Sequence, residues 1–157
     1  MKVLVACEYS GIVRDAFIKK GHNAISCDIL PSESDLGEHY QGDVMDILND
    51  DWDLMIAHPP CTHLSVSGAR WFTSGHKPMY LRDEAIEFVR TLMEADIEKI
   101  CIENPISVIA SYIRKSDQLI HPYHFGQPVQ KSTCLWLKNL PKLKHTKVVD
   151  PEFVKSG

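Results

Sequence analysis

The amino-acid sequence predicts an α/β fold in which helices flank a mainly parallel β-sheet. Two observations lead to this prediction: short apolar runs of strand length recur along the chain, and segments with helical spacing separate them. This alternation is typical of βαβ units, whose crossovers place parallel strands side by side. The predicted strands are Lys2–Cys7, Asn23–Cys27, Leu54–Ala57, Lys99–Ile102 and Thr133–Leu137.

The predicted helices lie between these strands. Apolar residues recur every three or four positions over Gly11–Lys20, and Gly21 follows in the position of a helix C-cap. The same spacing predicts a longer helix over Leu81–Ala95 and a short one over Ile106–Ile113. The stretch His58–Pro78, rich in Ser, Gly, Thr and His, is predicted to be a long loop. Loops of that length in compact domains are usually functional or mobile.

Length and composition indicate an ordinary globular protein. With 157 residues, the chain is predicted to form a single domain over residues 1–157. An apolar fraction of 44% and a charged fraction of 24% exclude disordered and fibrous classes. No apolar run reaches the roughly 18–20 residues of a membrane span. The five cysteines form no CxxC pair, so reduced thiols, a cytoplasmic location and no membrane partner are expected.

Charge is distributed unevenly along the chain. The formal net charge is -4, which disfavours nucleic-acid binding because Lys and Arg supply most of the affinity for phosphates. Residues 1–60, however, carry four Lys/Arg against eleven Asp/Glu, whereas residues 111–157 carry eight against three. Any polyanion is therefore expected to meet the C-terminal end, and a solvated lysine-rich surface is the alternative.

Polar residues follow several predicted strands, at the edge where open α/β sheets bind their ligands. Asp28 ends the second strand, where nucleotide-binding folds keep an acid for ribose hydroxyls. Asp43 offers a carboxylate for an adenine amino group or, alternatively, for a helix N-cap. Gly11 ends the turn after the first strand, and the backbone N–H groups of this turn can face a ligand. The alternative is that Gly11 serves only an ordinary tight turn. These strand ends predict an adenosine-containing cofactor, and the candidate residues are Glu8, Tyr9, Ser10, Gly11, Asp28, Ile29, Asp43, Val44, His58 and Pro59.

Cys61 is the predicted nucleophile. It follows Pro59 and Pro60, which fix φ at two successive residues and form a rigid platform. It also begins a polar loop at the ligand-binding edge, where no strand buries it. Cysteines inside apolar strands are usually inert core residues, and this is expected of Cys7, Cys27, Cys101 and Cys134.

Glu103 places a carboxylate at the end of a strand expected to lie beside the strand that leads to Cys61. Its predicted role is to hydrogen-bond a ring nitrogen and an amino group of a pyrimidine. Desolvation is expected to raise the pKa of Glu103, so that this carboxyl group can hold a proton. The alternative is that Glu103 caps a helix that follows Pro105.

These segments resemble the cytosine-C5 DNA methyltransferase family, and short phage-type members above all. The resemblance covers Lys2–Leu137. The family's nucleophile lies in a Pro-Pro-Cys motif and its base-gripping acid in Glu-Asn-Val, to which Pro59-Pro60-Cys61 and Glu103-Asn104-Pro105 are similar. After the first motif, Ser65 and Gly68 are similar to the family's Pro-Pro-Cys-Gln-x-Phe-Ser segment. A later Gly-x-Pro-Gln-x-Arg stretch is similar to Gly126, Pro128, Val129, Gln130 and Lys131.

The resemblance implies a Rossmann-like methyltransferase fold, with S-adenosylmethionine as the cofactor and no metal. It implies methylation of C5 of cytosine in DNA, with Cys61 and Glu103 as the catalytic residues. The substrate-binding residues that it implies are Pro60, Ser65, Asn104, Gln130 and Lys131.

Several departures from the family keep other functions open. Thr62 replaces a Gln, and the first turn keeps only Gly11 of a Phe-x-Gly-x-Gly-Gly pattern. The residues up to Gly157 contain no counterpart of the family's target-recognition domain. The alternatives are a free cytosine nucleotide or a single strand as substrate, a non-catalytic binding domain, or an enzyme completed by a second copy or a complementing chain.

Three further features of the segment around Cys61 bear on these alternatives. A zinc deaminase requires P-C-x-x-C, but Leu64 stands at the position of the second Cys, so this class is excluded. An amino-methyltransferase requires Asp/Asn-Pro-Pro-aromatic, which His58 and Cys61 do not fit. Trp71 and Phe72 could stack on a base or dock onto the core, and core docking is the expectation.

Overall fold

A mixed β-sheet forms the centre of the molecule. The structure is a computed structural model that describes residues 1–65 and 69–152. Its strands, numbered along the chain, are β1 Lys2–Ala6, β2 Asn23–Asp28, β3 His39–Gln41, β4 Leu54–Ala57, β5 Lys99–Pro105, β6 Gln118–Ile120 and β7 Thr133–Lys138. Their spatial order is β3-β2-β1-β4-β5-β7-β6.

The helices connect these strands as crossovers and short caps. They are α1 Ile12–Lys19, α2 Ala69–Thr73, α3 Met79–Met93 and α4 Ile109–Tyr112. Single 3₁₀ turns cover Val44–Asp46 and Pro122–His124. Within the described parts of the chain, no helix combines the length and the apolar character needed to cross a bilayer.

The strands from β3 to β5 are mutually parallel, whereas β7 runs antiparallel to both β5 and β6. The predicted mainly parallel α/β sheet is therefore confirmed. The chain extends outward from β1 to β3 and then resumes on the other side of β1 with β4, so the strand order reverses between β1 and β4. Such a reversal opens a crevice at the carboxyl ends of the strands.

Both faces of the sheet are buried, as parallel sheets require. Alternate residues of β1 divide between two apolar clusters: Leu4 packs with the face that α3 covers, and Val5 with the face that α1 covers. On α3, Ile86, Val89 and Leu92 recur at helical spacing and are buried. Each such side chain stabilises the fold by roughly 1.5–3 kcal/mol relative to exposure. This two-sided packing holds the strand ends in fixed positions.

Several predicted boundaries were wrong, and long-range pairing explains the largest difference. β5 was predicted to end at Ile102 but continues to Pro105, because β7 pairs with it over that stretch. The predicted loop His58–Pro78 contains α2, and the helix predicted over Ile106–Ile113 is confined to Ile109–Tyr112. β3 and β6 were not predicted, since three residues are too few to show a period.

Candidate active site

The two predicted catalytic segments lie at the ends of neighbouring strands. Ala57, the last residue of β4, pairs with Ile102 of β5. The residues that follow this pair, His58 and Glu103, are therefore neighbours. The His58 Nδ1 atom lies 2.7 Å from Glu103 Oε2. Because β5 runs on to Pro105, Glu103 lies within a strand, and the alternative that it caps a helix is wrong. The sheet thus brings the Pro-Pro-Cys and Glu-Asn segments together.

Asn104 links these two segments directly. Its side chain is 1% exposed, and its Nδ2 donates a 2.8 Å hydrogen bond to the carbonyl oxygen of Pro59. Within the described residues, the buried Asn104 Oδ1 has no partner. An unpaired buried oxygen is costly, so the position is held by its surroundings. Asn104 therefore fixes the proline platform to β5 from behind.

The turn after Cys61 is anchored although the Cys61 side chain is exposed. The Cys61 carbonyl oxygen accepts hydrogen bonds from the backbone N–H groups of Leu64, at 3.0 Å, and Ser65, at 3.1 Å. The Leu64 side chain is fully buried, and its carbonyl accepts from Val108 N at 2.9 Å. The buried side chain of Leu64 thus fixes the turn that presents the Cys61 thiol at the surface.

Arg82 on α3 holds the far end of the same turn. Its side chain is 5% exposed, and its Nε donates to the His63 carbonyl at 3.2 Å. Its guanidinium lies 4.2 Å from the centroid of the Phe72 ring. The Phe72 ring also contacts the His63 ring edge-on.

The two aromatic residues after Cys61 differ in burial. Phe72 is buried, as expected, but Trp71 is 41% exposed, so the expectation of core docking is wrong for Trp71. Neither Leu64 nor Arg82 was predicted from sequence, where Arg82 looks like a solvent-facing helix residue.

The other four cysteines have different surroundings from Cys61. Burial, with a smaller contribution from the Asp28 carboxylate, raises the pKa of Cys7 to about 12 and that of Cys27 to about 11. Burial and Glu103 raise the pKa of Cys101 to about 12. Cys27 and Cys134 are buried, and Cys7 and Cys101 are partly buried. The thiols of Cys7, Cys27 and Cys101 therefore stay protonated at neutral pH, whereas the nucleophilic form of cysteine is the thiolate.

We expect a sub-stoichiometric amount of iodoacetamide at pH 8 to alkylate Cys61 first. For Cys7, the rise in pKa from 9.0 to about 12 lowers the thiolate fraction about a thousandfold, and burial slows attack further. Peptide mass spectrometry over time measures the order of modification. Cys61→Ser is the control, and first modification of Cys7 or Cys101 would contradict the assignment.

A large cavity opens at the carboxyl ends of β1, β2, β3 and β4. Its volume is about 580 Å³, within the roughly 300–1,000 Å³ typical of small-molecule sites. Of the predicted cofactor residues, five line it: Tyr9, Asp28, Ile29, Asp43 and Val44. Other lining residues include Pro60 and Thr62, on either side of Cys61, and Leu30, Leu81, Glu84 and Phe88. The cavity therefore borders the segment that carries Cys61.

Each of the two predicted carboxylates of this cavity uses one of its oxygens in a hydrogen bond within the protein. Asp28 Oδ1 accepts a hydrogen bond from Leu30 N, and Asp43 Oδ1 accepts one from Met45 N, both at 2.9 Å. The bond to Met45 N confirms the N-cap role of Asp43, while the residue also lines the cavity. In the part of the chain that is described, the Oδ2 atom of each residue has no hydrogen-bond partner. These two oxygens are available to a ligand.

The first turn is organised around the start of α1. The Glu8 carboxylate accepts hydrogen bonds from Val13 N at 2.9 Å and Arg14 N at 3.2 Å, and Ser10 Oγ accepts from Ile12 N at 3.3 Å. Gly11 has φ +80°, and a Cβ there would lie 2.8 Å from Arg14 Nη2. Glu8, Ser10 and Gly11 do not line the cavity, nor do His58 and Pro59. For these five residues, a role toward a cofactor stays a prediction.

The electrostatics of Glu103 differ from the expectation. The hydrogen bond from His58 lowers the pKa of Glu103, and the charges of His58 and Lys131 act in the same direction, against the opposing effect of desolvation. The prediction that desolvation raises this pKa is therefore wrong for the free protein. Glu103 is ionised at neutral pH, because an imidazole 2.7 Å away outweighs burial.

Glu103 also faces a second cavity of about 310 Å³. Its other lining residues come mostly from the segment between β6 and β7, and they are Ile120, Pro122, Phe125, Gln127 and Thr133. The sequence did not predict that Phe125 and Gln127 line a cavity with Glu103, although they flank Gly126 in the stretch similar to Gly-x-Pro-Gln-x-Arg. Gln130 and Lys131 are exposed, Ser65 forms a backbone bridge with Ser107, and Gly68 lies outside the described residues.

The amino-acid sequence matches no protein-family model and no curated protein at a significant level. Among solved structures, the chain is similar to a provisionally named DNA modification methyltransferase encoded within an E. coli prophage. The TM-score is 0.55 at 15% identity, and the match covers 87% of this chain and 46% of that one. The chain thus spans about half the length of that protein. At this identity the similarity concerns the fold, and the chain shares its α/β architecture with that methyltransferase.

Proposed function

We propose that this protein is an S-adenosylmethionine-dependent methyltransferase that acts on C5 of cytosine in DNA through Cys61. The observation that carries the proposal is the position of Cys61. Its exposed thiol sits on an anchored turn whose flanking residues Pro60 and Thr62 line the large cavity, next to the strand end that bears Glu103. The similar fold of a DNA modification methyltransferase from a prophage supports this reaction class.

The large cavity suits an adenosine-containing cofactor. In this proposal Asp28 Oδ2 accepts hydrogen bonds from ribose hydroxyls and Asp43 Oδ2 accepts one from an adenine amino group, since the Oδ1 atoms of both residues are already used within the protein. Ile29, Val44 and Phe88 give apolar walls for the base. S-adenosylmethionine, when bound, would supply an electrophilic methyl group, whose bond to the sulfonium sulfur breaks on transfer and leaves the neutral thioether S-adenosylhomocysteine. The chain's contribution is to hold that group beside the segment that carries Cys61.

The chemistry begins when the Cys61 thiolate forms a bond to C6 of the cytosine ring. The C5–C6 π electrons are displaced, and C5 becomes nucleophilic and takes the methyl group. The C5 proton then leaves to water, the C5–C6 double bond reforms, and the C6–sulfur bond breaks to regenerate the thiolate. Covalent attachment of this kind splits one difficult step into two easier ones.

Glu103 stabilises the ring during these steps. One carboxylate oxygen accepts a hydrogen bond from the cytosine amino group, and the other shares a proton with N3. Because Glu103 is ionised in the free protein, that proton is taken up from water when the base binds and displaces solvent. His58 acts as a positioning residue: its Nδ1–H holds Glu103 Oε2 and fixes the direction of the carboxylate.

A covalent trap tests the proposal. The purified protein is incubated with S-adenosylmethionine and a DNA oligonucleotide that contains 5-fluorocytosine. This base carries fluorine at C5 in place of the hydrogen that must leave as a proton before the thiolate can be eliminated, so the covalent adduct persists. We expect a denaturation-resistant adduct that Cys61→Ser abolishes and that the matched variant Cys101→Ser retains. An adduct that persists in Cys61→Ser, or no adduct under conditions that trap an established cytosine-C5 methyltransferase, would refute the proposal.

A free cytosine nucleotide is the second candidate substrate. The net charge of -4 and the size of the Glu103 cavity, about 310 Å³, favour a small substrate over a polyanion. The same trap with a 5-fluorocytosine nucleotide in place of the oligonucleotide distinguishes the two substrates, since only the preferred one forms the adduct rapidly.

A further inference from the structure

We propose that an exposed lysine surface beside the Glu103 cavity binds the phosphate backbone of the nucleic-acid substrate. The surface consists of Lys131, Lys142, Lys144 and Lys147, all of which are exposed. The inference rests on the proposed function and deepens it, because it assigns the substrate to the polymeric class and not to free nucleotides.

The segment that carries three of these lysines packs along β6 and the 3₁₀ turn Pro122–His124. Leu143 exchanges two 2.8 Å hydrogen bonds with the Gln118 side chain. The His145 ring stacks on His124 with centroids 3.8 Å apart. Val149 N then donates to the Tyr123 carbonyl at 3.0 Å. Contacts at three points along this segment therefore hold its lysines in place.

The lysine surface adjoins the Glu103 cavity. Lys147 forms a backbone bridge with Phe125, which lines that cavity together with Glu103. Lys131 lies near enough to Glu103 for its charge to lower the pKa of that carboxyl. A base held by Glu103 would thus have its flanking phosphates within reach of this surface.

The surface carries charge that the protein itself does not neutralise. Within residues 111–152, Arg114 forms an ion pair with Asp117, and the Lys138 ammonium donates to the carbonyls of Ala95 and Ile97. In the described part of the chain, none of the four lysines has a carboxylate within ion-pair distance. Four lysines without a carboxylate partner, three of them within six residues, indicate an anionic partner for a protein whose net charge is -4.

The spacing of the lysines favours a polymer. Lys131 lies two residues before Thr133, which lines the Glu103 cavity, whereas Lys142 directly precedes Leu143, which is hydrogen-bonded to Gln118 at the start of β6. Glu103 and Gln118 both pair with Leu135, so their backbones are two strand spacings apart, about 10 Å. A single nucleotide cannot place its phosphate at both ends of this row. A DNA strand, with one charge about every 3.4 Å along its axis, can.

A binding measurement separates this proposal from catalysis. The parent is Cys61→Ser, which cannot form the adduct, and the variant adds Lys142→Gln, Lys144→Gln and Lys147→Gln. Fluorescence anisotropy with a labelled single-stranded oligonucleotide gives Kd over a series of salt concentrations. We expect at least about tenfold weaker binding and a log–log salt slope smaller by about 2, since each phosphate contact to a single strand contributes roughly 0.7.

The matched control removes exposed lysines at the end of α1, with Lys19→Gln and Lys20→Gln in the same parent. Unchanged affinity and salt slope in the triple variant, or an equal loss in the α1 control, would overturn the lysine surface. With Cys61 intact, the triple variant should also trap the 5-fluorocytosine oligonucleotide more slowly relative to the free nucleotide. Absence of any adduct in the unmodified protein would refute the proposed reaction while leaving the binding result to stand by itself.

Discussion

Glu103→Gln is expected to slow adduct formation with the 5-fluorocytosine oligonucleotide by about 10²–10⁴-fold, the usual contribution of a positioned proton-transfer group. Glutamine keeps the shape and hydrogen-bonding capacity of the side chain but cannot share a proton with N3. The loss should therefore fall on the rate of the covalent step and not on oligonucleotide affinity. Single-turnover trapping at saturating S-adenosylmethionine measures that rate, and anisotropy measures the affinity.

Two substitutions of His58 serve as the matched comparison. His58→Asn keeps an N–H donor near the position of Nδ1, and His58→Leu removes it, so the asparagine variant should retain more of the trapping rate. Carbon-13 NMR of the Glu103 carboxyl gives a readout that is independent of activity. His58→Leu should raise the pKa of Glu103, because it removes the hydrogen bond that lowers this pKa. A Glu103→Gln protein that traps at the normal rate would exclude Glu103 from the chemistry.

Arg14→Met is expected to destabilise the protein by about 3–5 kcal/mol, as is usual when one partner of a buried ionic network is removed. The Arg14 side chain is 0% exposed. Its guanidinium donates to Asp15 Oδ1 at 2.8 Å, to Ser26 Oγ at 2.9 Å and to the Ser34 carbonyl at 3.0 Å. Methionine fills a similar volume but removes every one of these bonds, so that Asp15 Oδ1 loses its donor, while Ser26 Oγ keeps only His39 and the Ser34 carbonyl keeps only Ser32. Urea unfolding followed by circular dichroism measures the change.

Arg114→Met provides the surface comparison. Arg114 pairs with Asp117 at 3.0 Å, but the two side chains are 45% and 35% exposed, so the loss should lie within about 0–1 kcal/mol. Equal effects of the two substitutions would mean that the Arg14 network does not hold the loop between β2 and β3.

The parts of the fold that depend on local pattern could be predicted from the sequence. The apolar runs of β1, β2 and β4 specify strands by themselves, and the polar residues that follow them mark the ligand-binding edge. Cys61 could be singled out because its local setting, two prolines and then polar residues, differs from that of the other cysteines. Asp28 and Asp43 could be selected as candidates in the same way, since Asp28 ends a strand and Asp43 lies in a turn, and both line the large cavity.

What could not be predicted depends on residues far apart in the chain. Glu103 lies within β5 because Leu135 pairs with it, and its ionisation depends on His58, 45 positions earlier. Arg14 has the spacing of a solvent-facing helix residue, yet it is buried because the segment after β2 folds over it. No periodicity within a single segment encodes such partners.

The carboxylate of Glu8 at the start of α1 limits what the first turn can bind. In many nucleotide-binding folds, glycines let the first turn bring a ligand's anionic group to the helix N-terminus. Here an internal carboxylate already occupies that position, at Val13 N and Arg14 N. While Glu8 holds these two N–H groups, they cannot donate to a phosphate or another anionic ligand. Any ligand of the adjoining cavity therefore depends on side chains such as Asp28 and Asp43, because the end of α1 has no free N–H group at these two positions.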